Sequence, residues 1–147
     1  MSGRVVAVCV SEKKGTSKKD VGKARLVPEL GLEGDAHAGF AHRQVSLLNA
    51  EDIREASEKM SGLIPGSFAE NITVEGFDVS SIPVGGRLRI GECLLEVTQI
   101  GKECHSRCEI YKTIGDCIMP RKGVFCRVLG GGHISRGDEV IQLVDES

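Results

Sequence analysis

The sequence has no tryptophan, one tyrosine and four phenylalanines, so it offers few rings on which nucleic-acid bases could stack. It also lacks any excess of positive charge, because 19 Lys and Arg against 21 Asp and Glu leave a net charge of −2. The two shortages together argue against nucleic acid as a partner. No stretch approaches the ~20 consecutive apolar residues that cross a bilayer, so no membrane association is expected. The apolar run Val5 to Val10 is followed at once by Glu12, Lys13 and Lys14 and by no small-residue cleavage site, which reads as a strand and not as a secretory signal. Three familiar signatures are missing: G-x-x-x-x-G-K-[ST], G-x-S-x-G and G-x-G-x-x-G. With four prolines, no internal repeat and no Pro/Ser-rich linker, residues 1–147 are expected to form a single domain. Six cysteines in 147 residues fall well below the ~8–10% of a disulfide scaffold. The expected setting is therefore a reducing cytoplasm, in which these cysteines are free, catalytic or metal-bound.

What the sequence has in quantity is glycine, 19 residues of it, spaced between short β-branched runs. Residues 4–10, 44–48, 71–74, 87–90, 94–100, 124–129 and 139–144 have strand length and composition, and turns such as Val84-Gly85-Gly86 and Gly130-Gly131-Gly132 separate the later ones. In 124–129, Val124, Cys126 and Val128 fall on one face and Arg127 on the other. One helix is expected after Asn49, an N-cap with Asp52 three residues on, close to a capping box. Its apolar face is Ala50, Ile53, Ala56 and Met60, and Gly62 and Pro65 end it. Many short strands with one helix predict a mainly β domain, a small closed barrel with one or two helical insertions.

Residues 101–123, GKECHSRCEIYKTIGDCIMPRKG, are the densest in chemistry. They hold Cys104, His105, Cys108 and Cys117 among Lys102, Arg107, Lys112, Arg121 and Lys122. Nearby cations favour a thiolate over a thiol, which suits a nucleophile or a soft-metal ligand. The same C-x3-C spacing with an intervening His also fits a structural zinc site on Cys104, His105, Cys108 and Cys117, and inert thiols are a third reading. Cys9, Cys93 and Cys126 lie within apolar runs and read as small buried hydrophobes. A second polar group, GDAHAGFAHRQVS at 34–46, combines Asp35, His37, His42 and Arg43. It suits a His/carboxylate metal site, an anion pocket, or a solvated turn. In the loop SEKKGTSKKD at 11–20, Lys13, Lys14, Lys18 and Lys19 flank Gly15 and Thr16, a combination able to grip phosphate through cations and backbone amides, or simply to be solvated.

The order of these pieces resembles a known family. Gly31-Leu32-Glu33-Gly34-Asp35-Ala36-His37, His42-Arg43-Gln44-Val45-Ser46-Leu47, Phe68-Ala69-Glu70-Asn71-Ile72, Val84-Gly85 to Gly91, Cys104 to Cys108 and Gly137-Asp138 follow one another as in the MOSC domain. That domain is shared by molybdenum cofactor sulfurases, mitochondrial amidoxime-reducing components and free-standing bacterial proteins. The resemblance covers nearly the whole chain and implies a β-barrel, a molybdopterin-type cofactor and one cysteine that carries sulfur or ligates molybdenum. Ser106-Arg107-Cys108 matches the S-R-C element of the family, so Cys108 is the implied residue, with Arg107 beside it and Cys104 as a substitute or helper. Lys14, Gly15, Thr16, Lys18, Asp35, His37, His42 and Arg43 are the implied holders of the cofactor and its phosphate. Glu70 and Asn71 match the E-N-[IL] element and are expected to line the pocket, although Asn71 is equally suited to stabilising a turn. The sequence is expected to stand without the extra barrel domain of the amidoxime-reducing enzymes and the pyridoxal-phosphate desulfurase domain of the sulfurases. The resemblance then implies a cysteine desulfurase or other persulfide donor as one partner, and a molybdoenzyme or a cofactor-biosynthesis protein as the other. The implied activity is sulfur transfer or a part in a molybdenum-dependent oxidoreductase; the alternative is a non-catalytic binding module built on the structural zinc site, and detoxification of small thiol-reactive or N-hydroxylated compounds rests on analogy of fold alone.

Overall fold

The computed structural model describes residues 2–11, 18–35, 44–59, 61–66, 68, 70–101 and 123–143. Eleven strands are present among them, and seven of these close a barrel: β1 (Ser2–Val10), β5 (Val45–Asn49), β6 (Ile72–Glu75), β7 (Arg87–Ile90), β8 (Cys93–Ile100), β9 (Val124–Gly130) and β11 (Glu139–Leu143). Around the barrel the order is β1-β11-β7-β8-β9-β5-β6, returning to β1. Neighbours are antiparallel except β5 and β6, which run parallel with Leu47 opposite Ile72. A parallel pair cannot be joined by a tight hairpin. The connection is the helix α1 (Ala50–Ser57) and the segment after it.

Alternation explains which way each strand faces. In β7, Leu88 and Ile90 are buried between exposed Arg87 and Arg89, and in β8 Cys93, Leu95 and Val97 point inward. Val124, Cys126 and Val128 join the same interior while Phe125 faces outward, as the pattern of that strand predicts. The interior also receives Val5, Val8, Val45, Leu47, Ile72, Val74 and Val140, all at 1% exposure or less. Outside the barrel wall, Ile53 and Ala56 of α1 pack with Leu48, Phe68 and Phe125. Closure removes the two free sheet edges that such short strands would otherwise present.

The strands absent from the sequence reading are β2 (Lys19–Asp20), β3 (Lys23–Val27), β4 (Gly31–Leu32) and β10 (Gly132–Ser135). The last three form a small sheet of order β10-β3-β4 whose Leu26, Leu32 and Ile134 enter the main core. Each contributes a single large apolar side chain, which is too little to register as an alternating pattern. Of the glycine triplet expected to be a turn, Gly130 closes β9 and Gly132 opens β10, with Gly131 alone between them.

Asn49 is the N-cap of α1, but the capping box with Asp52 does not form, since its side chain makes no bond to the first-turn amides. Its Nδ2 donates to Asp52 Oδ2 at 2.9 Å and to Asp78 Oδ1 at 2.8 Å, and its Oδ1 accepts from the Val79 amide at 2.9 Å. The buried Val79 N–H needs an acceptor more than a solvated first turn does, so the tertiary partner takes the oxygen. The helix also ends at Ser57, sooner than the Gly62 stop. Met60 lies outside the described residues.

Candidate functional site

Strand β1 leaves the barrel at Val10, beside the start of β6 and the start of β5, so the feet of several connections gather at one end. Ser11 precedes residues 12–17, Lys18 follows them, and Asp35 precedes residues 36–43. These three feet meet at one carboxylate. Asp35 Oδ1 accepts from Lys18 Nζ at 2.7 Å and from the Ser11 amide at 3.1 Å, and Lys18 Nζ lies 3.4 Å from Ser11 Oγ. Both charged side chains have 0% exposure. Burial pushes the Asp35 carboxyl upward, but the hydrogen bonds from Lys18 and the Ser11 amide outweigh it and hold the group below the ordinary carboxylate range.

Each foot is tied to the barrel in turn. The Lys18 amide donates to Gly66 O at 2.8 Å, and the Asp35 amide donates to Leu32 O at 3.1 Å. Gly66 has φ +95°, and a Cβ there would collide with the Lys18 carbonyl, so glycine is required for the approach. Next to it, Glu70 is fully buried and accepts from the Gly66 amide (2.8 Å), the Phe68 amide (3.2 Å) and Thr73 Oγ1 (3.0 Å). Desolvation raises the Glu70 pKa despite these donors. Asn71 joins β1, β5 and β6: its Nδ2 donates to Cys9 O at 3.1 Å, and its Oδ1 accepts from the Ser46 amide at 3.0 Å and Ser46 Oγ at 3.2 Å. Gln44, where the chain re-enters β5, is buried and accepts from the Val128 amide at 3.0 Å.

Four of the sequence-derived site residues, Lys18, Asp35, Glu70 and Asn71, are therefore gathered at one end of the barrel. Lys14, Gly15, Thr16, His37, His42 and Arg43 lie outside the described residues, as do Cys104, His105, Arg107, Cys108 and Cys117. Ser11, Ser46 and Gly66 belong to this network and were not singled out from the sequence. Ser46 stood within the HRQVS element, whereas nothing in the pattern around Ser11 or Gly66 distinguishes them from other loop residues.

The three described cysteines are buried and unbridged, as their apolar surroundings predicted. Burial pushes the Cys9 thiol up to about 12, with the neighbouring Glu70 and Asp20 adding to it, and the Cys93 thiol up to about 11. Cys126 is raised further by its burial. Burial hides all three from solvent and favours the thiol over the thiolate, so they are poorly suited to act as nucleophiles. No group of three or more His, Cys, Asp or Glu able to hold a metal occurs among the described residues.

The opposite end of the barrel is different in kind. A cleft of about 440 Å³ lies between the start of α1 and the end of β6, lined by Asn49, Glu51, Asp52, Gly76, Phe77 and Asp78. A second of about 460 Å³ adjoins it, with Arg4, Glu51, Glu75 and Glu139 on its walls. Both are open and rich in carboxylates, with no soft donor.

Comparison with known proteins agrees with this geometry. The chain is 27% identical over 113 residues to Protein YiiM of Escherichia coli K12, a match taking in 71% of this chain and 50% of that protein. The chain thus spans about half the length of this curated relative. Among solved structures, the YUAD protein from Bacillus subtilis superposes with a TM-score of 0.82 at 18% identity, covering 99% of this chain and 98% of the other. YiiM from Escherichia coli superposes at 0.68 with 22% identity, covering 100% and 72%, and YiiM from Geobacillus stearothermophilus at 0.71 with 16% identity, covering 97% and 75%. At these identities the structures establish the fold alone, a mainly β closed barrel, with α1 as the one α-helix among the described residues. Residues 34–141 match the MOSC domain model, and with nearly three quarters of its length inside that match the chain belongs to the MOSC domain family.

Proposed function

We propose that this protein binds a molybdenum cofactor and carries sulfur or ligates molybdenum through Cys108, in sulfuration, delivery or biosynthesis of that cofactor. The observation that carries the reading is the MOSC match over residues 34–141, a family known in molybdenum cofactor-related proteins, which takes in Ser106-Arg107-Cys108. The donor chemistry supports it. With Cys9, Cys93 and Cys126 held as buried thiols, the cysteines left for thiolate chemistry are Cys104, Cys108 and Cys117, all within the cationic segment 101–123.

The cofactor, when bound, supplies a soft, redox-active metal for which a thiolate is the suited protein ligand. Arg107 and Lys102, near Cys108 in sequence, supply positive charge of the kind that favours a thiolate over a thiol. As a sulfur carrier, that thiolate attacks the outer sulfur of a donor persulfide. The donor S–S bond breaks, the donor departs as a thiolate, and Cys108 is left as the persulfide. Lys14, Arg43 and the backbone around Gly15 and Thr16 supply cations and amides for the terminal phosphate of a pterin. A cysteine desulfurase or similar persulfide donor, and a molybdoenzyme or cofactor-biosynthesis protein as acceptor, complete the scheme in a reducing cytoplasm.

The test is molybdenum and zinc per chain by elemental mass spectrometry, in protein purified without oxygen from molybdate-fed cells. Near-stoichiometric molybdenum in the parent and at least a tenfold loss in Cys108→Ala is the expected result. Zinc without molybdenum in both overturns the reading and gives the Cys104, His105, Cys108 and Cys117 cluster a structural role.

A further inference from the structure

We propose that the amides of Gly66 and Phe68 and the hydroxyl of Thr73 form a preorganised cradle for a carboxyl group, filled from within by Glu70. Once that side chain is shortened to alanine, the cradle takes up free acetate. Three donors converge on the two oxygens. Oε2 accepts from the Gly66 amide at 2.8 Å and from Thr73 Oγ1 at 3.0 Å, and Oε1 accepts from the Phe68 amide at 3.2 Å. Glu70 has 0% exposure, so these donors stand where water would otherwise be. A carboxyl group suits them because it can accept at both of its oxygens, whereas an amide cannot. Both oxygens are engaged inside the fold, which sets Glu70 apart from the pocket-lining role that its motif implies. Cofactor binding plays no part in this.

The donors are held by contacts that do not involve Glu70. Gly66 O accepts from the Lys18 amide at 2.8 Å, and a Cβ at Gly66 would collide with Lys18 O and press on Cys9 Sγ, so Gly66 is seated against Lys18 and β1. Phe68 packs with Leu48, Ile53 and Phe125 outside the barrel wall. Thr73 is fixed in β6, opposite Leu48 of β5 on one side and Ala7 of β1 on the other. Because close-packed neighbours relax only in part, removal of the carboxyl group leaves these donors facing a polar void. The atoms lost in Glu70→Ala, Cγ and the carboxyl group, are those of acetate, so that molecule matches the void in both size and acceptor pattern.

The experiment reads urea unfolding of the parent, Glu70→Ala and Glu70→Gln in sodium acetate, in sodium chloride of equal concentration, and in chloride with acetamide, which has the shape of acetate but a donor in place of one oxygen. In chloride, Glu70→Ala is expected to lose about tenfold or more of its folding equilibrium constant, because buried donors are left without acceptors. Acetate at about 0.1 M is expected to recover about tenfold, the gain for a dissociation constant of about 10 mM. The parent, whose cradle is filled, is expected to shift less than about twofold between the two salts, since a filled site binds no second guest. Acetamide is expected to recover nothing, and Glu70→Gln to fall about tenfold below the parent, since its amide nitrogen meets one of the N–H donors. Three results overturn the proposal: Glu70→Ala as stable as the parent, an acetate gain no larger in that variant than in the parent, or equal recovery by acetamide. Should Glu70→Ala be unfolded in chloride, refolding on titration with acetate, followed by circular dichroism, takes the place of the midpoint. Should it stay unfolded there too, Glu70→Gln decides: a parental midpoint overturns the cradle, and the tenfold loss upholds it.

Discussion

The two ends of the barrel use the same residue types to opposite effect. Where β1 ends, Lys18 and Asp35 are paired at 2.7 Å with neither side chain exposed, and Glu70 and Asn71 are buried beside them with several bonds each. Where β1 begins, Arg54 and Glu75 approach to 2.9 Å while remaining 63% and 43% exposed, and the carboxylates of Glu51, Asp52 and Asp78 line an open cleft. Charges in water lose most of their mutual attraction to solvent, whereas charges out of water must be matched or they cost several kcal/mol. The matched charges of the buried end therefore bear on stability, whereas the exposed pair contributes little to it.

Breaking the buried pair one-sidedly gives the largest expected effect. Lys18→Met leaves the Asp35 carboxylate without its counter-charge and lowers stability by about 3–5 kcal/mol, read from the urea midpoint. The apolar double replacement Lys18→Met/Asp35→Leu restores stability to within about 2 kcal/mol of the parent, since pair and hydrophobic isostere nearly balance. A single variant as stable as the parent would show the pair to be open to water, and the contrast between the ends would disappear.

Asn49→Ala comes next. It strips the acceptor from the buried Val79 amide and both bonds from Nδ2, and about 1–3 kcal/mol is the expected loss. Because this residue belongs to the exposed end but is itself 3% exposed, the result separates burial from location as the cause. A loss as small as that of a surface residue would make location the cause.

The two buried carboxylates at the β1 end impose opposite pH slopes. Asp35 is held below the ordinary range, so its stabilisation is present above the unfolded pKa of about 3.9 and is lost as pH falls through its folded value. Glu70 is raised, so its contribution is full below the unfolded pKa of about 4.3 and declines as pH climbs through its folded value. Urea midpoints between pH 3 and 7 should lose part of their acid-side fall in Lys18→Met/Asp35→Leu and part of their decline toward neutrality in Glu70→Gln. Profiles parallel to that of the parent would remove both assignments.

The smallest effect is expected at the surface pair. Arg54→Ala should cost no more than about 0.2–1 kcal/mol, and less in 0.5 M salt, because both partners are solvated and screened. A cost near that of Lys18→Met would erase the distinction between the ends.

The barrel strands with two or more inward β-branched or leucine side chains were legible from alternation, as β7, β8 and β9 demonstrate. The small sheet was not, because β3 (KARLV) and β10 (GHIS) each supply one buried large side chain and bury it against strands distant in sequence. The fate of Cys9, Cys93 and Cys126 was readable from their apolar neighbours. That of Lys18 was not: KKGTSKK presents four lysines as equals, and of the two described, Lys18 and Lys19, it is Lys18 that is withdrawn from solvent, against Asp35 17 positions on. Glu70 and Asn71 were found as a motif expected to line a pocket. Their partners in the described structure are Gly66, Phe68 and Thr73 for the one and Ser46 and Cys9 for the other.

By itself the sequence determined the class of fold, the faces of the longer strands, the inertness of three cysteines and the family. Each of these follows from local periodicity or from the order of short motifs, which a linear reading preserves. Only the tertiary structure decided that Asn49 serves Val79 and Asp78 in place of its own helix, and that Ser11, Lys18 and Asp35 converge on one oxygen. Those choices depend on which backbone amide or charge is left without water once the barrel closes, a quantity that exists only after distant segments have met.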